Sequence, residues 1–206
     1  MRDLNAPGVN GVSAMSLPRK RGAAFLDRDG TIIRQVELMC NVGELRLLPG
    51  SAEAIRLLNQ CGVPVLVVTN QPVIARGKCT EQEVDFIHDE LRRRLLKKGA
   101  HIDAIYYCPH HPNATVEKYR MNCLCRKPAA GMLLRAAREQ RVDLSRSVMI
   151  GDTTQDIMAG TRAGTRTILV QTGHGGRDPW QLDCVPDWTT RNLLGAARLW
   201  VSENSL

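Results

Sequence analysis

Aromatic residues are scarce in this chain: two Phe, three Tyr and three Trp make up 4% of its 206 residues. Surfaces that grip single-stranded nucleic acid stack bases on aromatic side chains, so the shortage speaks against that class despite a formal net charge of +7. The Lys and Arg residues are scattered, and no recognition motif accompanies them. Long apolar runs are missing too. None approaches the roughly 20 residues that a membrane helix needs, and residues 1–20 carry no apolar core of a secretory signal.

That first segment is rich in Gly, Pro, Ser and Asn and runs into the basic cluster Arg19-Lys20-Arg21. It reads as a flexible basic extension, 1–20, ahead of a single domain over 21–206. Cysteine pairing is not indicated either. Seven cysteines, an odd number, without a leader imply a reducing compartment and hence the cytoplasm, where thiols bind metal or fill the core. No nucleic-acid partner and no membrane are expected, and the expected state is a monomer.

What is present is an alternation of short apolar runs with amphipathic stretches. Residues 22–26, 63–68, 102–107, 147–150 and 165–170 are brief and apolar, which predicts buried strands. Helices are predicted over 51–60, 80–98, 131–140, 156–163 and 191–201. The second carries a capping box, Thr80 with Glu83, a stop at Gly99 and a stripe of Val84, Ile87, Leu91 and Leu95. Strands separated by helices predict an α/β three-layer sandwich around a Rossmann-like parallel sheet. No stretch is long enough for a large cap domain.

Polar residues recur where these strands end. Asp27, Asp29 and Gly30 follow the first, Thr69, Asn70 and Gln71 the second, and Asp152 the fourth, with Asp156 four residues on; Arg126 and Lys127 precede a helix. In a parallel sheet such ends converge on one crevice. Two carboxylates beside a glycine there suggest a metal and a nucleophile acting on an anionic substrate.

A second cluster lies in the chain from 108 to 125. Cys108, Cys123 and Cys125, with either His110 or His111, make a Cys₃His set of the kind that closes a tetrahedral Zn²⁺ site. With no open position such a zinc is structural. It would staple the intervening loop at both ends and aim Arg126 and Lys127.

The order Asp-x-Asp-Gly-Thr, Thr, Lys and Gly-Asp-x-x-x-Asp resembles the haloacid dehalogenase (HAD) superfamily of phosphatases over about residues 22–176. The long loop between Cys-Pro-His-His-Pro and Cys-x-Cys-Arg-Lys-Pro resembles its D-glycero-D-manno-heptose 1,7-bisphosphate 7-phosphatase family, as does Val68-Thr69-Asn70-Gln71 followed by Ile74-Ala75-Arg76-Gly77. The resemblance implies the HAD fold and a catalytic set of Asp27, Asp29, Thr69 and Lys127. In it Asp27 becomes an aspartyl-phosphate, Asp29 transfers protons, and Thr69 and Lys127 steady the phosphoryl group. It implies Mg²⁺ on Asp27, Asp29 (through the backbone carbonyl) and Asp152, and Zn²⁺ on Cys108, His110, Cys123 and Cys125. Arg28, Asn70, Gln71, Arg126, Gln35 and Leu38 are the implied contacts to a small phosphorylated sugar.

Asp156 admits two readings, a helix cap or a group that orients Lys127 or the metal shell. Residues 35–41, Pro72 and Thr153 depart from the heptose family's usual pattern, so the resemblance does not fix the sugar or its anomer; without a large cap domain, substrate choice is expected to come from loops. Histidinol phosphate or another sugar phosphate is the rival substrate, and a zinc-stabilised basic binding module is the rival of a different class.

Overall fold

The computed structural model describes residues 20–204; of the extension expected over 1–20, all but Lys20 lies outside the described residues. Six strands form one parallel sheet: β1 (Ala24–Leu26), β2 (Val65–Asn70), β3 (Ala104–Cys108), β4 (Val148–Gly151), β5 (Arg166–Val170) and β6 (Trp188–Thr190). Their spatial order is β3-β2-β1-β4-β5-β6. The short β1 therefore lies at the centre, where the winding reverses, and its carboxyl end is the ligand crevice of such a sheet. Leu26 stands beside Val67 on one side and Ile150 on the other. Residues just past the ends of these three strands are thereby delivered to one place.

The helices are α1 (Ser51–Gln60), α2 (Pro72–Ala75), α3 (Glu81–Leu96), α4 (Gly131–Glu139), α5 (Thr154–Ala163) and α6 (Leu193–Glu203). Strand side chains alternate between the two faces. Leu26, Val65, Val67, Val148, Ile150 and Ile168 pack with α1, α3 and α6 on one side. Phe25, Leu66, Val68 and Met149 pack with α4 and α5 on the other. Each fully buried apolar side chain of this kind contributes about 1.5–3 kcal/mol relative to exposure, enough to anchor a central strand only three residues long. Three layers result, as the alternation of runs requires.

Local signals set the helix starts. Thr80 accepts from the Glu83 amide and Glu83 reaches back to the Thr80 amide, which is the expected capping box. Thr153 and Asp156 make a second box, so α5 begins two residues before the predicted 156. Asn192 caps α6. Strand β6 and the one-turn α2 were not expected. The longest connections, 27–50 and 109–130, hold only the 3-10 turns Val42–Glu44 and Glu117–Tyr119, so no cap domain appears among the described residues.

Candidate active site

A cleft of about 430 Å³ opens at the carboxyl ends of β1, β2 and β4. Asp27 is the first residue past β1, and its amide bonds to the carbonyl of Ile150 at 2.9 Å, tying it to β4. Asp152 follows β4 directly and Asp156 lies in the first turn of α5. One carboxylate oxygen from each of Asp27, Asp152 and Asp156 falls within 4.8 Å of the others. Into this group reaches Lys127, 3% exposed. Its ammonium lies 2.6 Å from Asp27 Oδ1 and 2.6 Å from Asp156 Oδ1, and it donates to the Val68 carbonyl at 2.8 Å. The Lys127 main chain is held as well: its amide donates to Asn70 Oδ1 at 3.0 Å, and Asn70 Nδ2 returns a bond to its carbonyl at 3.0 Å.

Gly30 adopts φ +81°, and a β-carbon there would stand 2.3 Å from Asp152 Oδ2. The glycine after the acidic pair thus supplies both a left-handed turn and the room in which Asp152 sits.

Three buried carboxylates facing one ammonium are short of positive charge. Asp27 is raised to about 7, by burial first and by Asp156 and Asp29, against the downward pull of Lys127. Asp152 rises to about 8, first through burial and then through repulsion by Asp27 and Asp156. Burial alone would lower Lys127, but Asp156 and Asp27 outweigh it and hold the ammonium charged above the ordinary lysine range. Asp152 is fully buried, its Oδ2 accepts from the His174 amide at 2.7 Å, and its Oδ1 has no hydrogen-bond partner among the described residues. An all-oxygen set with an orphaned buried carboxylate oxygen fits a hard divalent cation.

Asp29 turns away from that group. Its carboxylate takes bonds from Arg28 Nε at 3.1 Å, Arg28 Nη2 at 3.2 Å and Gln71 Nε2 at 2.9 Å. Gln71 Nε2 also donates to Thr69 Oγ1 at 3.0 Å, so Thr69, Gln71, Arg28 and Asp29 form one continuous network on the cleft wall. Arg28, implied as a substrate contact, is 1% exposed, and its guanidinium is taken up by Asp29, Gln71 and His88. Gln35, Leu38 and Arg126 line the same cleft. Leu38 sits at φ +52°, a strained conformation for a non-glycine residue.

The cysteine cluster forms at the end of β3. The Sγ atoms of Cys108, Cys123 and Cys125 lie 3.0, 3.2 and 3.5 Å apart, and His110 Nδ1 is 3.3 Å from Cys125 Sγ and 3.8 Å from Cys108 Sγ. These four residues bring donor atoms within 4.8 Å of one another. An ion with metal–sulfur bonds of about 2.3 Å would space tetrahedral sulfurs about 3.8 Å apart, so the donors fit zinc with sub-ångström adjustment. Of the two histidines that the sequence left open, His111 is elsewhere: its Nδ1 accepts from the Asn113 amide at 3.0 Å and it lines the cleft. The cluster and the cleft are joined through Arg126, whose amide donates to Cys123 Sγ at 3.4 Å and whose Nη1 donates to the His110 carbonyl at 3.2 Å.

Several cleft residues were not singled out from sequence as contacts: Arg76, His111, Gln155, His174 and Trp180. Arg76 was visible only inside a run that resembles the heptose family. Burial lowers both Arg126 and His111, and Arg76 lowers each of them further. Three basic side chains therefore face one end of the cleft.

A family model described as "HAD-hyrolase-like" matches residues 124–196. A D-glycero-beta-D-manno-heptose-1,7-bisphosphate 7-phosphatase of Photorhabdus laumondii is 43% identical over 153 residues, 73% of this chain and 81% of its own length. The protein of the same description from Rhodopseudomonas palustris is 44% identical over 149 residues, 72% of this chain and 82% of its own. Among solved structures, a D,D-heptose 1,7-bisphosphate phosphatase from B. bronchiseptica, complexed with magnesium and phosphate, aligns with a TM-score of 0.78 at 34% identity. It covers 88% of this chain and 99% of that one.

Proposed function

Because this chain belongs to the D-glycero-D-manno-heptose-1,7-bisphosphate 7-phosphatase family, we propose that it hydrolyses the 7-phosphate of a heptose 1,7-bisphosphate, in the making of nucleotide-activated heptose. The observation that carries the reading is the meeting of Asp27, Asp152, Asp156 and Lys127 at the end of the central strand. We assign the β anomer, for which both relatives are named.

Asp27 attacks phosphorus in line and forms an aspartyl-phosphate; its main chain is tethered to β4 and its Oδ1 is paired with Lys127. Asp29 gives a proton to the departing sugar oxygen and takes one from the water that opens the intermediate. Lys127 and the Thr69 hydroxyl neutralise the phosphoryl oxygens, and loss of one such group costs on the order of 3 kcal/mol of barrier. Mg²⁺, held by Asp27, Asp152 and the Asp29 carbonyl, would supply charge neutralisation of the phosphoryl group. Cys108, His110, Cys123 and Cys125 would hold a structural Zn²⁺ that fixes the loop leading to Arg126 and Lys127. Arg126, Arg76 and His111 would receive the phosphate that is not cleaved, with Gln35, Leu38, Asn70 and Gln71 around the sugar.

In this reading residues 21–206 are one phosphatase domain, and the chain is monomeric and cytoplasmic; no described helix is long and apolar enough to cross a membrane. Phosphate release is measured on both anomers of heptose bisphosphate and on histidinol phosphate, with and without EDTA. Magnesium-dependent preference for the β-heptose ester supports the proposal. Preference for histidinol phosphate, or turnover by Asp27→Asn, refutes it.

A further inference from the structure

We propose that His88 is a positioning residue that acts on Asp29 through Arg28. The inference rests on the proton-transfer role proposed for Asp29. It concerns a residue on α3, outside the strand ends that carry the chemistry.

The inward face of α3 is otherwise apolar, with Val84, Ile87, Leu91 and Leu95 buried beside His88. An imidazole on such a face calls for a partner, because a buried polar group without one is costly. At 3% exposure, His88 places Nε2 at 3.0 Å from Arg28 Nη1, and its ring tilts by 53° over Tyr107 with centroids 5.4 Å apart. A guanidinium can only donate. Nε2 therefore accepts, and the ring proton is on Nδ1. Burial first, then Arg28 and Arg92, keep the imidazole neutral, which is the form able to accept.

Arg28 is thereby gripped at both ends. Nη1 goes to His88, Nη2 to Gln71 Oε1 at 2.9 Å, and Nε with Nη2 to the two oxygens of Asp29. The guanidinium is a rigid plane. Fixing its far edge fixes the fork that the carboxylate rests on. Without an acceptor at position 88 the plane can rotate about its Asp29 edge, and the carboxylate loses its aim toward the leaving oxygen. A displacement of about 1 Å at a reacting group can cost on the order of 100-fold in rate.

The test uses the full chain loaded with zinc and magnesium, and two substituted forms. His88→Leu keeps the bulk and removes the acceptor; His88→Gln keeps an acceptor oxygen. The substrates are a sugar phosphate that the wild type hydrolyses and p-nitrophenyl phosphate, whose leaving group departs as a stable anion and needs no proton. His88→Leu is expected to lower kcat/KM on the sugar phosphate about 10- to 100-fold and to leave kcat/KM on p-nitrophenyl phosphate within about twofold. His88→Gln should recover most of the loss. Equal losses on both esters, no loss on either, or no recovery by a folded His88→Gln overturns the proposal. A wild type inert to both esters would instead take down the phosphatase reading, and a wild type that prefers a sugar other than heptose would leave this comparison intact.

Discussion

Asp156 and Lys127 meet at 2.6 Å through Asp156 Oδ1, while the other oxygen of the same carboxylate caps α5 by accepting from the Thr153 amide at 3.0 Å and the Thr153 hydroxyl at 2.6 Å. The two readings that the sequence left open for Asp156 are thus held together in one side chain. The helix start and the cationic group of the cleft are set by a single residue, and substitutions can separate the two roles.

Asp156→Asn retains an oxygen for the cap and removes the charge opposite Lys127. The ammonium then keeps Asp27 as its one direct carboxylate partner beside the Val68 carbonyl, and the tightened pair blunts Asp27 as a nucleophile. We expect kcat to fall about 100-fold, in line with loss of one electrostatic stabiliser, with little change in melting temperature. Asp156→Ala abolishes the cap as well, adding about 0.5–2 kcal/mol of destabilisation. Steady-state kinetics and urea unfolding of the two proteins read the roles separately. Wild-type kcat in Asp156→Asn would reduce Asp156 to a cap.

The elevated carboxyls predict how magnesium and pH interact. Asp27 and Asp152 are raised to about 7 and about 8 in the folded chain, against about 3.9 when unfolded. Between those values the folded state binds more protons than the unfolded one, so their contribution to stability is largest at low pH and is lost as pH rises through 4 to 8. A cation that binds the deprotonated pair offsets this loss. The melting-temperature gain on adding Mg²⁺ should therefore grow from pH 6 to pH 8.5 in thermal scans. Asp152→Asn should flatten that dependence, and a gain independent of pH in the wild type would contradict the charge balance of the three buried carboxylates and Lys127.

Much of this site was legible because its parts come from strand ends. Parallel topology brings Asp27, Thr69 and Asp152 together whatever their separation in sequence, and short apolar runs reveal such strands. β6 escaped notice for a physical reason: it is a three-residue edge strand without a fully buried side chain, tied on by Asp187 bonds to Arg166 and Thr167 and by a half-buried Trp188 against the core. α2 is a single turn opened by Pro72, too short for any period to show. The inward turn of Arg28 was equally hidden. The resemblance implied a substrate contact for Arg28, which does line the cleft, and only the packing of α3 against the sheet sets an acceptor, His88, beside it.

Zinc removal should act locally. Cys108, Cys123 and Cys125 touch only the layer under α4 and α5, the layer under α1, α3 and α6 is built without them, and Asn70 holds the Lys127 main chain from β2. Cys123→Ser/Cys125→Ser is expected to lose about one equivalent of zinc and keep its far-ultraviolet circular dichroism. Turnover should drop about tenfold or more as Arg126 loses its bonds to Cys123 and His110, an outer-shell effect of the usual size. Elemental analysis and kinetics at saturating Mg²⁺ measure both. Global unfolding on chelation would show that the loop is part of the folding core.

Arg76 provides the sharpest test of where the uncleaved phosphate goes. It is exposed, lines the cleft and lies near Arg126 and His111. Charge-assisted bonds to an anion contribute about 1.5–3 kcal/mol, so Arg76→Ala should raise KM for heptose 1,7-bisphosphate about 10- to 100-fold. The same change should leave KM for heptose 7-phosphate, which lacks the second anion, within about twofold, and kcat near the wild-type value for both. Measuring both esters with one enzyme preparation cancels any effect of the substitution on folding. Equal KM increases on the two esters would place Arg76 at the cleaved phosphate instead, and no increase on either would remove it from the site.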